Sequence, residues 1–286
     1  MFNGTGVALV TPFQQDNSID FSALGKIIDA VINGGVDYLV ALGTTGETPT
    51  LSKDEKKQVL DFIIKHNDGR KPVVVGIGGN NTQELLDTLK EYPMEQIAGI
   101  LSVAPYYNKP SQEGIYQHFK MLATATDKPI ILYNVPGRTV TNILPETAIR
   151  LANDFENIVA IKEASGSIPQ CMELVAKAPA HFAVLSGDDN LILAQAAVGM
   201  KGVISVAANS YPADFCKMVQ LALSGDIAAA RTIHYQLLPK IDLLFAEGNP
   251  TGVKYALHLQ GLCENVLRLP LVAASESLQK NIKALS

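Results

Sequence analysis

The segments KPIILYNVP, residues 128–136, and NIVAIKEAS, residues 157–165, are two of a series of short apolar runs along the chain. Each run is rich in β-branched residues and becomes polar only near its end. Strands that are buried on both faces of a parallel sheet have this composition. Runs of the same kind occupy residues 6–10, 36–43, 71–78, 98–105, 181–189 and 201–209. The series predicts eight strands of one parallel sheet.

Helical patterns fill the gaps between these runs. Apolar residues recur at helical spacing after Asp20, a residue type that favours the N-cap position. Ser52 with Glu55 three residues later has the pattern of a capping box at the start of another helix. Strands that alternate with helices in this way are typical of α/β folds built from βα units.

Eight βα units within residues 1–225 predict a TIM (β/α)8 barrel, an α/β fold, as the catalytic domain. Residues 226–286 contain no further strand-like run and predict a C-terminal helical extension. A doubly wound open sheet is the alternative. Such a sheet would carry a glycine-rich turn after its first strand, and the chain has Thr-Pro there and no G-x-G-x-x-G motif, so the barrel is favoured.

Composition narrows the classes of function. Of 286 residues, 47% are apolar and 18% are charged, and the net charge is −5, with no basic cluster that would bind nucleic acid. The first residues, MFNGTGVALVTPF, lack a basic n-region and a long apolar h-region, so we expect no signal peptide. No apolar run reaches the roughly 20 residues that span a bilayer. We therefore expect a cytoplasmic protein that binds neither nucleic acid nor membrane.

The cysteine and histidine patterns argue against a metal centre. Cys171, Cys216 and Cys263 are far apart in the sequence, and we expect them to be buried thiols with a structural role. The five histidines show no H-E-x-x-H or comparable spacing, so no metal site is expected.

Barrel enzymes place their active sites at the carboxyl ends of the strands. In this chain the eight ends read TPF, GTTGE, GIGGN, PYYNKP, YNVPGR, KEAS, SGDD and AANS. Any one of them could be an ordinary polar loop. Because a barrel brings all eight to the same mouth, the collection of hydroxyls, tyrosines, one arginine and one lysine predicts a functional site there.

Lys162 ends an apolar strand, which is unusual for a charged residue. Side chains alternate along a strand, so Ile161 and Lys162 face opposite sides. An inward lysine near the rim would lie in a dry pocket, where a neutral amine is a nucleophile able to form a Schiff base with a carbonyl substrate. The alternative is that Lys162 reaches solvent at the strand end. Alternation points Glu163 away from Lys162, as a structural partner in the barrel wall.

Neighbouring strand ends supply groups that suit this chemistry. Tyr133 ends the preceding strand, and its phenol could move protons during imine formation. The turn GTTGE, residues 43–47, could hold a carboxylate through backbone N–H groups and the hydroxyls of Thr44 and Thr45. Arg138 could bind a second carboxylate in a bidentate manner. An amine beside two anion-binding elements indicates the joining of two small keto or aldehyde acids.

The motifs GTTGE, YNVPGR and IKEAS, at these separations, resemble those of the pyruvate-dependent class I aldolases, the N-acetylneuraminate lyase family. The resemblance extends over essentially the whole chain. PYYNKPSQEG, SGDD and GVISVAAN are most similar to the dihydrodipicolinate synthases within that family. Thr44 and Arg138 agree with this group, since sialic-acid lyases typically have GSTGE and a different sequence after YN-x-P.

The resemblance implies a role for individual residues. Lys162 would form the imine with pyruvate, while Tyr133, Thr44 and Tyr107 would form a proton relay, Tyr107 being supplied by a neighbouring subunit. The substrate-binding residues would be Thr45 for the pyruvate carboxylate, Arg138 for the carboxylate of L-aspartate 4-semialdehyde, and the backbone of Gly187 and Ile204. The resemblance also implies that there is no metal or organic cofactor and that the protein is a homotetramer built from tight dimers.

Some members of the family are inhibited by L-lysine at a dimer interface. The matching positions in this chain are Thr48, Pro49, Asn80, Glu84 and Tyr106. Lys53 and Lys56 stand where sensitive members often have histidine. We expect this extra positive charge to weaken inhibition by repelling the cationic effector, although it could instead bind the carboxylate of L-lysine.

Two other functions compete with a synthase. A related pyruvate lyase or keto-sugar-acid dehydratase would use the same imine, but Arg138 and Tyr107 argue against it. A non-catalytic barrel would have no chemical need for Lys162, Tyr133 and Thr44.

Overall fold

The computed structural model describes residues 2–285 and contains a closed barrel of eight parallel strands, each paired with its neighbours in chain order. The prediction of a TIM barrel is confirmed, and the doubly wound sheet is not the fold. The strands are β1 Gly4–Ala8, β2 Tyr38–Ala41, β3 Val73–Gly76, β4 Gly99–Val103, β5 Ile130–Asn134, β6 Ile158–Glu163, β7 Ala183–Ser186 and β8 Gly202–Ser205.

Helices surround the barrel and continue beyond its last strand. They are α1 Phe21–Asn33, α2 Lys53–Asn67, α3 Thr82–Glu91, α4 Gln112–Thr124, α5 Pro136–Thr139, α6 Pro145–Asp154, α7 Ile168–Lys177, α8 Ile192–Ala197, α9 Pro212–Leu223, α10 Ile227–Phe245, α11 Thr251–Leu259 and α12 Glu276–Leu285. Short 3-10 helices lie at Thr44–Gly46, Thr48–Thr50, Met94–Gln96 and Ala207–Asn209. Helix α10 packs against α9, and both α11 and α12 contact α10.

The helix starts predicted from the sequence are confirmed. The Asp20 side chain accepts a hydrogen bond from the Ala23 amide at 2.9 Å, at the N-cap of α1. At α2 the Glu55 amide donates to Ser52 Oγ at 3.2 Å, and the Ser52 amide donates to Glu55 Oε2 at 2.8 Å. These bonds satisfy N–H groups that have no partner within the helix.

The first strand differs from its predicted range. It begins at Gly4, because Gly4–Val7 pair with β8, and it ends at Ala8 instead of Val10. The Val10 amide bonds the side chain of Asn209 and so does not continue the ladder. Among the cysteines, Cys171 and Cys263 are buried as expected, but Cys216 is only partly buried because its side of α9 faces an open groove beside Gly35.

Apolar residues form two layers, one between the barrel and the helices and one inside the barrel. In β6, Ile158 and Ile161 belong to the outer layer, whereas Val159 and Ala160 both pack with the inner cluster. The pairing with β5 shifts by one residue at this point, where Ile158 faces Ile130 and Ala160 faces Ile131. This β-bulge restores the alternation that turns Lys162 inward; an unbroken alternation from Ile158 would turn it outward.

Within residues 2–285, no helix combines the length and apolar character that a membrane-spanning segment requires.

Candidate active site

A cavity of about 170 Å³ opens at the carboxyl end of the barrel and brings together most of the predicted site residues. Lys162 and Tyr133 reach it from two adjacent strands, and Thr44 and Thr45 reach it from the turn after β2. Its lining also contains Arg138, Gly187, Asp188, Val206, Phe245 and Asn249. Four of the eight strand ends, GTTGE, YNVPGR, KEAS and SGDD, thus supply residues to this cavity.

The Lys162 side chain is buried, with only 6% of its surface exposed. Its Nζ atom lies 4.3 Å from the centroid of the Tyr133 ring, and the two residues are direct partners across β6 and β5. Within residues 2–285, Lys162 Nζ makes no hydrogen bond and no ion pair. The carboxylates of Asp188 and Asp189 interact electrostatically with Lys162. A lysine amine is a group that can attack a carbonyl carbon. The alternative of a solvated strand-end lysine does not describe this side chain.

Gly187 gives the lysine room. A Cβ atom at this position would lie 3.0 Å from Lys162 Cε and 2.5 Å from the Cβ of Ala164. Only a residue without a side chain fits there, because 2.5 Å is far inside van der Waals contact. The lack of a side chain at Gly187 thus leaves space for Ala164 and for the end of the Lys162 side chain.

The GTTGE turn is held in an unusual backbone shape. Leu42, which precedes the turn, and Glu47, its last residue, have positive φ angles of 55° and 51°, a conformation that most non-glycine residues avoid. Thr44 is exposed toward the cavity mouth, while Thr45 is buried. Thr45 Oγ1 accepts a hydrogen bond of 3.0 Å from Asn249 Nδ2. The C-terminal part of the chain therefore helps to fix this turn.

Arg138 lies in α5, directly after β5, and its exposed side chain forms part of the cavity lining. In the part of the chain that the structure describes, its guanidinium has no hydrogen-bond or ion-pair partner. The group is thus available for an anion that enters the mouth. A guanidinium presents two parallel N–H donors to a carboxylate.

The SGDD segment brings two carboxylates to this region, of which only that of Asp188 lines the cavity. Asp188 lines the cavity, and its Oδ2 accepts a 3.2 Å bond from the Gly166 amide. Asp189 is buried beneath it and accepts bonds from the amides of Val206 and Ala207 at 2.9 and 2.7 Å. Burial raises the pKa of Asp189 to about 6 and also raises the pKa of Asp188. The sequence indicated these acids as a strand end but gave them no role.

Glu163 points away from the cavity. Its carboxylate is completely buried and accepts hydrogen bonds from Asn134 Nδ2 at 2.9 Å, Gln170 Nε2 at 3.0 Å and the Ser165 amide at 2.8 Å. These donors tie the end of β6 to β5 and α7. The acid beside Lys162 therefore anchors the strand end in the barrel wall.

Two predicted residues lie elsewhere. Ile204 packs in the inner cluster of the barrel and is not in the cavity lining, where Val206 is found instead. Tyr107 is 86% exposed, has a φ angle of 73° and does not line the cavity of its own chain.

Phe245 and Asn249 line the cavity from the end of α10 and the loop after it, and sequence reasoning missed both. The Gly-Asn-Pro sequence at residues 248–250 indicates a turn, but nothing in it shows that the turn meets the mouth of the barrel.

Only two of the five residues expected to bind L-lysine line a common cavity. Thr48 and Glu84 line a second cavity, of about 260 Å³, together with Lys53 and Lys56. Asn80 Nδ2 donates to the Tyr106 carbonyl at 3.2 Å, and these two residues, like Pro49, are outside that lining.

Comparison with known proteins agrees with the barrel fold. The family model of the dihydrodipicolinate synthetase family matches residues 1–286. A 4-hydroxy-tetrahydrodipicolinate synthase from Flavobacterium psychrophilum is 53% identical over 281 residues, which cover 98% of this chain and 96% of the relative.

Two solved structures have nearly the same fold. A monomeric dihydrodipicolinate synthase variant superposes with a TM-score of 0.97 at 41% identity, covering 99% of this chain and 95% of the variant. A chloride-inhibited dihydrodipicolinate synthase from Acinetobacter baumannii, complexed with pyruvate, superposes with a TM-score of 0.96 at 39% identity, covering 100% of this chain and 98% of the other. The family model, the sequence identities and the shared barrel show that this chain belongs to the dihydrodipicolinate synthetase family.

Proposed function

We propose that the protein is a 4-hydroxy-tetrahydrodipicolinate synthase, which condenses pyruvate with L-aspartate 4-semialdehyde in the diaminopimelate route to L-lysine. The observation that carries this proposal is a buried Lys162 beside Tyr133, in a cavity that is also lined by two threonines and Arg138. The name of the relative from Flavobacterium psychrophilum and the pyruvate in the complex from Acinetobacter baumannii support the same assignment.

The first half of the reaction takes place at the Lys162 amine. Nζ attacks C2 of pyruvate to give a carbinolamine, and loss of water gives the imine. Removal of a proton from the pyruvate methyl group converts the imine into a nucleophilic enamine. The phenol of Tyr133, whose ring centroid lies 4.3 Å from Nζ, accepts and returns these protons together with the Thr44 hydroxyl. Thr45 and the backbone of the turn bind the pyruvate carboxylate.

The second half joins the two substrates. The enamine carbon attacks the aldehyde carbon of the semialdehyde and forms the new carbon–carbon bond. The substrate amine then adds to C2 and displaces Lys162, which closes the ring and frees the enzyme. Arg138 holds the carboxylate of the semialdehyde at the mouth, with Gly187 lining the pocket. Ile204 lies below the cavity, so its predicted contribution through the backbone is the weakest of these assignments.

The assembly belongs to the same proposal. Tyr107 is too exposed to act in its own chain. In a homotetramer of two tight dimers, its hydroxyl would enter the active site of a neighbouring subunit. There it would be the third member of the proton relay, with Tyr133 and Thr44. The group of Thr48, Pro49, Asn80, Glu84 and Tyr106 would form an L-lysine site at that interface, and the protein would act in the cytoplasm.

Trapping with borohydride tests the assignment. The full chain is incubated with pyruvate and sodium borohydride, and the adduct is located by mass spectrometry. We expect one pyruvate-derived adduct on Lys162 and none on Lys162→Arg, which keeps the charge but loses the nucleophile. Absence of an adduct on the parent enzyme would overturn the mechanism. Turnover with aspartate semialdehyde but not with sugar aldehydes would separate the synthase from the related lyases.

A further inference from the structure

Behind the GTTGE turn lies a buried ion pair that does not touch the cavity. The carboxylate of Glu47, the last residue of the turn, pairs with Lys254 Nζ of α11, and both side chains are completely buried. Lys254 Nζ also donates to the Val266 carbonyl at 2.9 Å and lies 4.1 Å from the centroid of the Phe13 ring. Neither charged residue is in the lining of the active-site cavity. The proposed reaction assigns no role to this ion pair.

The pair acts on the one residue of the turn whose backbone is strained. Glu47 has a φ angle of 51°, and its amide donates to the Thr44 carbonyl at 3.1 Å. Its second carboxylate oxygen accepts a 3.0 Å bond from the Arg268 amide. Backbone conformations of this kind persist only where the surroundings fix them. Both oxygens of Glu47 are fixed by the C-terminal part of the chain.

A second contact from the same region reaches Thr45. Asn249, which precedes α11 by one turn residue, donates to the Thr45 hydroxyl at 3.0 Å. The turn is thus held at both its second threonine and its glutamate by residues that follow α10. A shift of this turn would move the hydroxyls of Thr44 and Thr45 relative to Lys162.

We propose that Glu47 and Lys254 are positioning residues, whose ion pair holds the GTTGE turn in the geometry that binds the pyruvate carboxylate. The inference rests on the proposed function, because it concerns the same pyruvate site. The two residues act through Thr44 and Thr45 and contact no substrate. A merely structural ion pair would affect the stability of the protein without changing its response to pyruvate.

The experiment compares Lys254→Met, Glu47→Gln and the double variant in the full chain. Each is titrated with pyruvate, and the yield of borohydride-trapped Lys162 adduct is measured by mass spectrometry beside a thermal melt. Each single variant should need about tenfold more pyruvate for half-maximal trapping, because misplaced binding groups lose affinity. Leu278→Ala, in the buried face of α12, is the control for lost stability and should melt earlier with an unchanged pyruvate titration.

The double variant separates positioning from stability. It leaves no unpaired buried charge, so its melting temperature should recover toward that of the parent. If the ion pair positions the turn, the double variant should still need more pyruvate than the parent for half-maximal trapping, even though its melting temperature recovers. The inference is overturned if the pyruvate concentration for half-maximal trapping stays within twofold of the parent value. This applies to the double variant and to each single variant that folds. Failure of the parent enzyme itself to form an adduct would instead overturn the proposed function, and the positioning role with it.

Discussion

Lys162 and Tyr133 are partners across β6 and β5, and the Lys162 Nζ atom lies 4.3 Å from the centroid of the Tyr133 ring. The amine thus lies over the face of the Tyr133 ring, and in the proposed mechanism the phenol exchanges protons with the intermediates. One backbone pairing thus places the amine of Lys162 and the ring of Tyr133 side by side.

Removing only the hydroxyl of Tyr133 tests its part in proton transfer. Tyr133→Phe keeps the ring over Lys162, so the fold and the melting temperature should change little. Turnover should fall about 10²-fold or more, the usual contribution of a general acid–base group. The measurement is kcat with both substrates at saturation. A kcat within twofold of the parent would remove the phenol from the mechanism.

Filling the space at Gly187 should displace the lysine. In Gly187→Ala the new methyl group would meet Ala164 and Lys162 Cε, at 2.5 and 3.0 Å. We expect at least about tenfold slower adduct formation and a loss of about 1–3 kcal/mol in the free energy of unfolding. Gly137→Ala is the matched control, because a Cβ there has nothing within 4 Å. Equal trapping rates in the two variants would contradict the packing argument.

Arg138 should discriminate between the two substrates. Arg138→Met removes the guanidinium at the mouth, and kcat/KM for the semialdehyde should fall by about 10²-fold, since hydrogen bonds to charged groups each contribute about 1.5–3 kcal/mol. Trapping of pyruvate on Lys162 should be unchanged. Arg138→Lys keeps the charge but loses the planar pair of donors, and we expect only partial recovery. Lost pyruvate trapping in Arg138→Met would show that Arg138 serves the first substrate as well.

The pair formed by Glu55 and Arg268 predicts a dependence of stability on pH. The hydrogen bond from Arg268 holds the pKa of Glu55 down to about 2, from an ordinary value of 4.5. Because the folded pKa is the lower one, the pair stabilises the protein above pH 4.5, and this contribution is lost as the pH falls through about 2.

In urea unfolding, Glu55→Gln should therefore be less stable than the parent by about 1 kcal/mol at pH 5, a discounted figure because the pair is partly exposed. The difference should vanish near pH 2. Glutamine still suits the capping box of α2, so the cap is retained in this comparison. A difference that does not depend on pH would mean that the ion pair is not its cause.

Inhibition by L-lysine should be weak. Lys53 and Lys56 line the cavity that contains Thr48 and Glu84, and their positive charges oppose the ammonium of the effector. We expect no strong inhibition at submillimolar L-lysine and tighter inhibition in Lys53→Ala and Lys56→Ala, measured by titrating the steady-state rate. Strong submillimolar inhibition of the parent would favour the other possibility, in which these lysines bind the effector carboxylate.

The sequence predicted most reliably those features of the fold and site that follow from a single local pattern. Continuous apolar runs identified the strands, and the strand-end rule of barrels brought Lys162, Tyr133, Thr44 and Arg138 to one mouth. The bulge at Val159 could not be predicted, because no residue there indicates that two neighbours face inward. Phe245 and Asn249 were missed because helices after the barrel can pack anywhere on its rim. The division of the chain between residues 225 and 226 stays a prediction.

The bond between Asn249 and Thr45 joins residues that are 204 positions apart in the chain. Contacts of such high sequence separation form late, since the entropy of closing a long loop must be offset first. Synthesis runs from the N-terminus, so all eight barrel strands are made before Asn249 and Lys254. The GTTGE turn therefore acquires its final contacts only when the last helices dock, and an incomplete chain contains Lys162 without a fixed turn beside it.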